Sequence, residues 1–276
     1  EIRKVRGGQI AMIFQDPMST LNPVFTVGYQ MIKVIEKNQG LKRELAEKAA
    51  LDMIATVRLP DPGEIMEKYP HELSGGQRQR IIIAMALSCG AEFLIADEPT
   101  RNLDVTIQAG ILKLIDELQK KLGLTVLYIS NNLGLVSSVC KSIGVLKESK
   151  IVEQGLVKEV LKQPKNEYTK LLIDAITPDR NAGNTSECVT GECLLEVINL
   201  KKYFPIKSTQ KKEKDATVKA VDNVSFMLGK GEILGIVGES GCGKSTLVNT
   251  LLLLHTPTEG TVMFRGEEIF GLSKEE

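Results

Sequence analysis

Apolar residues occur along this chain in short runs and in helically spaced series, separated by polar turns. Short apolar runs bounded by turn residues are typical of buried strands, whereas apolar positions three or four residues apart indicate amphipathic helices. The runs predict strands at Ile10–Gln15, Phe93–Ala96, Leu124–Ser130, Leu194–Asn199, Ala220–Met227, Ile233–Val237 and Gly260–Phe264.

Helical spacing is clearest between Leu41 and Val57, where apolar side chains recur at every fourth position. Similar stretches predict a helix that begins near Leu73 and runs through Leu87, and two more at Asp104–Lys121 and Ser245–Leu254. Because helices alternate with short strands, we expect an α/β protein with a mainly parallel sheet.

A polar segment interrupts this alternation. Residues 177–192 are rich in Asn, Thr, Ser and Gly, a composition typical of a linker. We therefore expect a linker at 177–193 between a first part, 1–176, and a second part, 194–276. A charged loop, Lys207–Lys214, is expected between two strands of the second part.

Composition excludes several classes of function. The 35 Lys and Arg residues balance 35 Asp and Glu residues, so no long-range field recruits nucleic acid or an anionic membrane. Apolar runs such as Ile81–Ala86 are far shorter than the ~20 residues of a membrane span, so a link to a membrane is expected to need a partner protein. The five cysteines form no CxxC pair, which favours free thiols in a reducing cytosol. The missing initiator Met indicates a piece of a longer protein.

A glycine-rich loop between a predicted strand and a predicted helix carries the strongest chemical signal, because it fits GxxxxGK[ST] in full. Its glycines let backbone N–H groups surround an anion, and the helix start adds a partial positive charge. The lysine can reach β- and γ-phosphates, and the first serine of the helix can ligate Mg²⁺. A chance match in a strand–helix turn is the alternative, which the flanking elements disfavour. The loop residues are Gly238, Glu239, Ser240, Gly241, Cys242, Gly243, Lys244, Ser245 and Thr246.

A second segment that can face an anion is Leu-Ser-Gly-Gly-Gln at the start of a predicted helix. A serine hydroxyl and backbone N–H groups at a helix start can bind a negative charge. By itself the segment could also be an ordinary N-cap turn. Its candidate binding residues are Ser74, Gly75, Gly76 and Gln77.

Polar residues follow two of the predicted strands. Asp97 is placed to hold Mg²⁺ through water, and Glu98 to polarise an attacking water. Gln15 ends the strand predicted at residues 10–15. Either acid alone could be an N-cap or a solvated charge. These alternatives do not explain why Gln15, the Leu-Ser-Gly-Gly-Gln segment and the two acids occur together in this order.

Together these motifs resemble the ATP-binding-cassette (ABC) family, and the resemblance covers nearly the whole chain. It implies a P-loop NTPase fold of the ABC type, a mainly parallel sheet with an antiparallel β part and a helical signature subdomain. It implies ATP and Mg²⁺ as ligands, with Gln15 as the Q-loop residue that touches Mg²⁺ and a transmembrane partner. Leu73–Gln77 resembles the signature, Phe93–Asp97 the Walker B strand, Glu98 the catalytic base and Leu103–Asp104 the D-loop.

The resemblance also implies an aromatic residue that stacks on adenine. Phe204, or alternatively Tyr203, occupies its place. Stacking on a base contributes ~1–3 kcal/mol, although such an aromatic is as often simply part of a core.

Several phrases in the first part are similar to those of dipeptide and oligopeptide importer ATPases. The resemblance then implies an ATPase that couples ATP binding and hydrolysis to solute transport, cytoplasmic and peripheral on the inner face of the cell membrane. Implied partners are transmembrane permease subunits, a second nucleotide-binding domain and, indirectly, a solute-binding protein, with no nucleic acid. Alternatives are a soluble ABC ATPase and a catalytically degenerate regulatory cassette. The phrases are Phe14–Met18, Leu21–Pro23, Asp104–Gln108, Ile151–Gly155 and Tyr168–Leu172.

The order of the motifs differs from that of a single cassette, in which the phosphate loop comes first. Here it follows the other motifs, so we interpret the chain as a window across two fused cassettes. Residues 1–176 are then the C-terminal part of the first nucleotide-binding domain, and 194–276 the N-terminal part of the second. A circularly permuted cassette is the alternative. We expect the chain alone to hydrolyse ATP poorly.

One residue departs from the family pattern. After the strand at 126–129 the family carries a histidine that contacts the γ-phosphate, and this chain has Asn131 in its place. Asparagine is shorter and never carries a proton charge at neutral pH. We therefore expect one slow or binding-only site and one competent site that contains Lys244 and Ser74. Sequence drift at Asn131 is the alternative.

Overall fold

The computed structural model of the chain describes residues 2–16, 20–176, 193–205 and 217–271. Contacts divide the chain into two compact units, unit 1 (Glu1–Pro178) and unit 2 (Asp179–Glu276). Some of the sequence-based predictions lie outside the described residues. These are the linker Thr177–Glu192, the charged loop Lys207–Lys214, and Pro17 and Met18 of the importer-like phrase.

Local chemistry defines the ends of some helices of unit 1, such as the helix Val27–Gln39. The Thr26 hydroxyl accepts the Tyr29 N–H at the start of one helix, and Gly40, with φ 68°, ends that helix in the left-handed region. No helix in the described part of the chain is long and apolar enough to cross a membrane. The α-helices described in unit 1 are α1 (Ile2–Val5), α2 (Val27–Gln39), α3 (Arg43–Thr56), α4 (Pro62–Glu67), α5 (Gly75–Leu87), α6 (Val105–Leu122), α7 (Leu133–Val139), α8 (Val157–Lys162) and α9 (Glu167–Ile176).

A parallel sheet organises unit 1. Its strands β1 (Ile10–Ile13), β2 (Phe93–Asp97) and β3 (Thr125–Ile129) lie in the order β1-β2-β3. Parallel strands need long crossover connections, which the helices between them supply. The buried residues of the strands pack against the apolar faces of α2, α3, α5 and α6 in one core.

The strands that follow form an antiparallel hairpin, β4 (Ser142–Lys147) with β5 (Lys150–Leu156). The turn residues Glu148 and Ser149 have φ 48° and 63°. Positive φ at both positions is what the type I′ turn of a two-residue hairpin requires.

Unit 2 is built on a four-stranded antiparallel sheet of β6 (Cys193–Pro205), β7 (Thr217–Gly229), β8 (Glu259–Phe264) and β9 (Glu267–Glu268), in the order β7-β6-β8-β9. Cys193, placed in the predicted linker, is already the first residue of β6. The parallel sheet, the antiparallel sheets and the helices confirm the predicted α/β class. The α-helix described in unit 2 is α10 (Lys244–Leu251), and the core of the unit consists of Val197, Leu200, Val221, Leu247 and Val262.

One predicted strand is wrong. Residues 233–237 form no strand, and Ile233 and Val237 are 97% and 93% exposed. An extended apolar run becomes a strand only when a neighbouring strand accepts its backbone hydrogen bonds. Among the described residues of unit 2, β6 to β9 pair antiparallel with one another, and no parallel strand is present to receive this segment. The apolar composition of a segment does not show whether another strand is available to pair with it.

Ile83→Ala is expected to lower the free energy of unfolding of unit 1 by about 2–5 kcal/mol, because it leaves a cavity in a closed core. Ile83 on α5 is 0% exposed, whereas the control residue Leu45 on α3 is 57% exposed. Leu45→Ala should change stability by about 0.5 kcal/mol or less. Urea unfolding followed by circular dichroism measures both, and equal losses would contradict the assigned core.

Candidate functional site

The carboxyl end of β2 places the two predicted acids at the edge of the parallel sheet. Asp97 is the last residue of β2 and pairs in register with Ile129 of β3. The Glu98 N–H donates to the Ile129 carbonyl at 2.9 Å. Glu98 has φ 43°, in the left-handed region that non-glycine residues seldom occupy. Such backbone strain concentrates at functional sites, where surrounding contacts maintain it.

Gln15 and Glu98, 83 residues apart in sequence, are in direct contact. Gln15 Nε2 donates to Glu98 Oε2 at 2.9 Å. Arg101 Nη1 donates to the same oxygen, also at 2.9 Å, and forms an ion pair with it. Sequence reasoning did not find Arg101. The available signal was a basic residue three positions after an acid, a spacing found on many turns and helices.

The signature segment begins α5 with a reciprocal cap. The Ser74 hydroxyl accepts the Gln77 N–H at 3.3 Å, and Gln77 Oε1 accepts the Ser74 N–H at 2.9 Å. The N-cap reading is therefore realised in this structure. Gly76 lies against α6, since a Cβ at this position would come within 2.9 Å of Ile107. The signature and the residues after the Walker B strand, predicted as separate motifs, pack together.

The turn between β2 and α6 is held from two sides. The carbonyl of Thr100, which is 3% exposed, accepts Gln108 Nε2 at 2.9 Å. On the other side Leu103 packs against the signature, 3.3 Å from where a Cβ on Gly75 would lie. The Tyr128 hydroxyl lies 3.5 Å from the Thr100 hydroxyl, and burial raises the pKa of this phenol. These contacts give the turn that follows Glu98 a defined conformation.

In unit 2 the phosphate loop leads directly into α10. Lys244 Nζ donates to the carbonyls of Gly238 and Glu239 at 2.8 and 2.7 Å, so the ammonium group closes the loop. Ser245 and Thr246 belong to the first turn of α10, and Ser245 is exposed. The predicted residues thus form one continuous segment, with Gly238–Gly243 in the loop and Lys244, Ser245 and Thr246 at the start of α10.

Gly243 lies directly against β7. A Cβ at this position would lie 1.9 Å from the Ala220 carbonyl oxygen, and the residue has φ 99°. The pairing of β6 with β7 shifts here from Lys202–Val221 to Tyr203–Lys219, which leaves Ala220 as an extra residue. Such an extra residue is a β-bulge, which bends the strand locally. The bulge brings the sheet backbone to a position in the loop that glycine alone can occupy.

The two aromatic candidates on β6 differ in their contacts. Phe204 meets His255 edge to face, with ring centroids 5.5 Å apart, and the Lys202 ammonium lies 4.9 Å from its ring centroid. The Tyr203 hydroxyl donates to Asp222, and this hydrogen bond raises the pKa of Tyr203 and lowers that of Asp222. Both side chains thus have partners in this structure, and Phe204 remains the predicted residue for stacking on a base.

The donor set fits a nucleoside triphosphate with Mg²⁺. Three kinds of donor lie at the start of α10: the Lys244 ammonium, the Ser245 hydroxyl and the backbone N–H groups of the first turn. Donors of this kind at a helix start bind anions. Among the described residues no group of three or more His, Cys, Asp and Glu side chains could hold a metal ion. Mg²⁺ that is bound together with phosphates needs only one or two carboxylates, so a larger group of acidic side chains is not required for it.

Solved ATP-binding cassettes share this fold, and they define the class to which the chain belongs. A post-hydrolysis dimer of the ATP-binding cassette MJ0796 with ADP and Pi has a TM-score of 0.50 and 26% identity, covering 56% of this chain and 66% of that chain. CbiO1 from Clostridium perfringens, part of the ABC transporter complex CbiONQ, has a TM-score of 0.52 and 32% identity, covering 59% of this chain and 62% of that chain.

The sequence profile of the ABC transporter family matches residues 1–101 and 221–276, and the chain belongs to that family. Its similar curated relatives include the glutathione import ATP-binding proteins GsiA of Salmonella paratyphi A and of Escherichia coli K12. Each is 42% identical over 296 residues, covering 99% of this chain and 48% of the relative. The chain therefore spans about half the length of the curated relatives it matches.

Gly243→Ala is expected to lower the affinity for ATP by about tenfold or more, because the methyl group meets the Ala220 carbonyl and the backbone has positive φ. Gly235→Ala is the matched control, since no atom lies within 4 Å of its added Cβ. Titration with a fluorescent ATP analogue measures both affinities, with circular dichroism to check folding. If the two variants bound the ATP analogue with affinities within about twofold of each other, the close approach of Gly243 to the Ala220 carbonyl would be contradicted.

Proposed function

We propose that this chain is the ATP-binding part of a peptide-class ABC importer, which couples ATP binding and hydrolysis to solute transport. The observation that carries the proposal is the Gly238–Thr246 loop, whose lysine, serine and α10 N–H groups form a donor set for a triphosphate. The peptide class is supported by 42% identity to proteins named for the import of glutathione, a small peptide.

The same proposal assigns the two units to two fused cassettes, with residues 1–176 from the first and 194–276 from the second. A single alignment with one relative covers 99% of the chain but only 48% of that relative. The two parts therefore occur in this order within one longer protein of the family, which supports fusion over circular permutation. The signature segment (Ser74, Gly75, Gly76 and Gln77) is proposed to contact bound ATP through its serine hydroxyl and backbone N–H groups.

Each site residue has a proposed role. Lys244 neutralises β- and γ-phosphate charge, and Phe204 stacks on adenine. Ser245 would hold Mg²⁺ in one cassette, and Asp97 and Gln15 would hold it in the other. Bound there, Mg²⁺ would stabilise charge on the phosphate oxygens.

Glu98 is the proposed catalytic base, which accepts a proton from the attacking water. Its contact with Gln15 at 2.9 Å supports this assignment, because it unites the ends of β1 and β2 in one polar cluster. The proposed partners are transmembrane permease subunits, a second nucleotide-binding domain and, indirectly, a solute-binding protein. The proposed location is cytoplasmic, on the inner face of the cell membrane.

Lys244→Ala is expected to remove most of the affinity for ATP, because it deletes both the cation of the loop and the contacts that close it. Lys230→Ala, at an exposed lysine in the turn before the loop, is the charge-matched control. Titration with ATP and Mg²⁺ measures the two dissociation constants. A change of less than about threefold for Lys244→Ala, or ~0.6 kcal/mol, would rule out the assigned phosphate loop.

Asn131→His is expected to accelerate the slow site of the full-length protein by about 10²–10³, because a γ-phosphate contact acts where charge develops. Asn131 is exposed, whereas the neighbouring Asn132 caps α7 by accepting the Leu135 N–H at 3.2 Å. Asn132→Ser, which keeps a capping oxygen, should leave the rate unchanged. Single-turnover hydrolysis distinguishes these outcomes, and an unchanged rate for Asn131→His would mean that the two sites do not differ for this reason.

A further inference from the structure

The turn after the Walker B strand contains a charged contact that the proposed roles do not use. Arg101 and Gln15 both donate to Oε2 of Glu98, each at 2.9 Å. We propose that Arg101 is a positioning residue, which orients the Glu98 carboxylate so that Oε1 accepts the proton of the attacking water. This inference rests on the proposed role of Glu98 as the base.

The distribution of donors over the carboxylate supports the proposal. Within the described part of the chain, no hydrogen-bond donor is found at Oε1 of Glu98, whereas Oε2 has two. The Glu98 side chain is 14% exposed, so most of it is enclosed by neighbouring residues while part of it remains open to solvent. Two bonds to one oxygen restrict rotation of the group and leave the lone pairs of the other oxygen available. A general base needs such a defined and accessible lone pair.

Hydrogen bonds hold the backbone of the turn that carries the Arg101 side chain. The Arg101 N–H donates to the Glu98 carbonyl at 3.0 Å, which closes the turn between the two residues. Thr100, one residue earlier, is buried and bonded to Gln108. The Arg101 side chain is nevertheless 49% exposed, and exposed ion pairs contribute little to stability. The contact should therefore affect the orientation of the base more than the stability of the fold.

The test is single-turnover ATP hydrolysis by the full-length protein that contains this chain. The quantity followed is the kinetic phase of hydrolysis that disappears in the Glu98→Gln variant. Arg101→Ala should lower its rate at saturating ATP by about tenfold, while the half-saturating concentration changes by about twofold or less. Arg101→Lys keeps a charged donor and should recover most of the rate. Lys120→Ala breaks another exposed ion pair, with Asp116 on α6, and should change neither quantity.

Each outcome supports or overturns the inference. A rate for Arg101→Ala that is unchanged or higher overturns it, as does Arg101→Lys behaving like Arg101→Ala. An equal change in rate and half-saturation also overturns it, because that pattern indicates a role in binding. If Glu98→Gln removes a component that Arg101→Ala leaves intact, only this inference fails. If Glu98→Gln removes none, the proposed base fails with it.

Discussion

Parallel hydrogen bonding between β1, β2 and β3 is the constraint on which the polar cluster of unit 1 depends. It brings the carboxyl ends of strands that are distant in sequence to one edge, so that Gln15 reaches Glu98. The helices that cross between the strands bury the other apolar surface and fill the core. If the pairing shifted by one residue, buried side chains would turn to the opposite face and the cluster would separate.

In unit 2, too, segments that are distant in sequence come together at the site, here through the close approach of two backbone segments. The β-bulge at Ala220 brings the antiparallel sheet to Gly243, and the loop continues from there into α10. The sheet thereby supports the loop, and a side chain at position 243 is incompatible with both. Lys244 completes the loop through two carbonyl groups of the same turn.

A residue with positive φ lies at the centre of each site. Glu98 has φ 43° and Gly243 has φ 99°, and neighbouring contacts maintain both conformations. For Glu98 these are the hydrogen bond to Ile129 and the closed turn to Arg101. At Glu98, a non-glycine residue, this conformation carries strain of about 1–3 kcal/mol, whereas glycine adopts positive φ without that cost.

Local patterns were sufficient for most strands, for helices α3, α5, α6 and α10, including the capped start of α5 at Ser74, and for the glycine-rich loop that leads into α10, because spacing, caps and glycine content act within a few residues. Three features were decided by tertiary structure alone. Residues 233–237 are apolar yet form no strand, since a strand needs a partner that their own composition cannot supply. The ion pair of Arg101 with Glu98 and the approach of Gly243 to Ala220 depend on a turn and a bulge whose geometry is set by packing between distant segments.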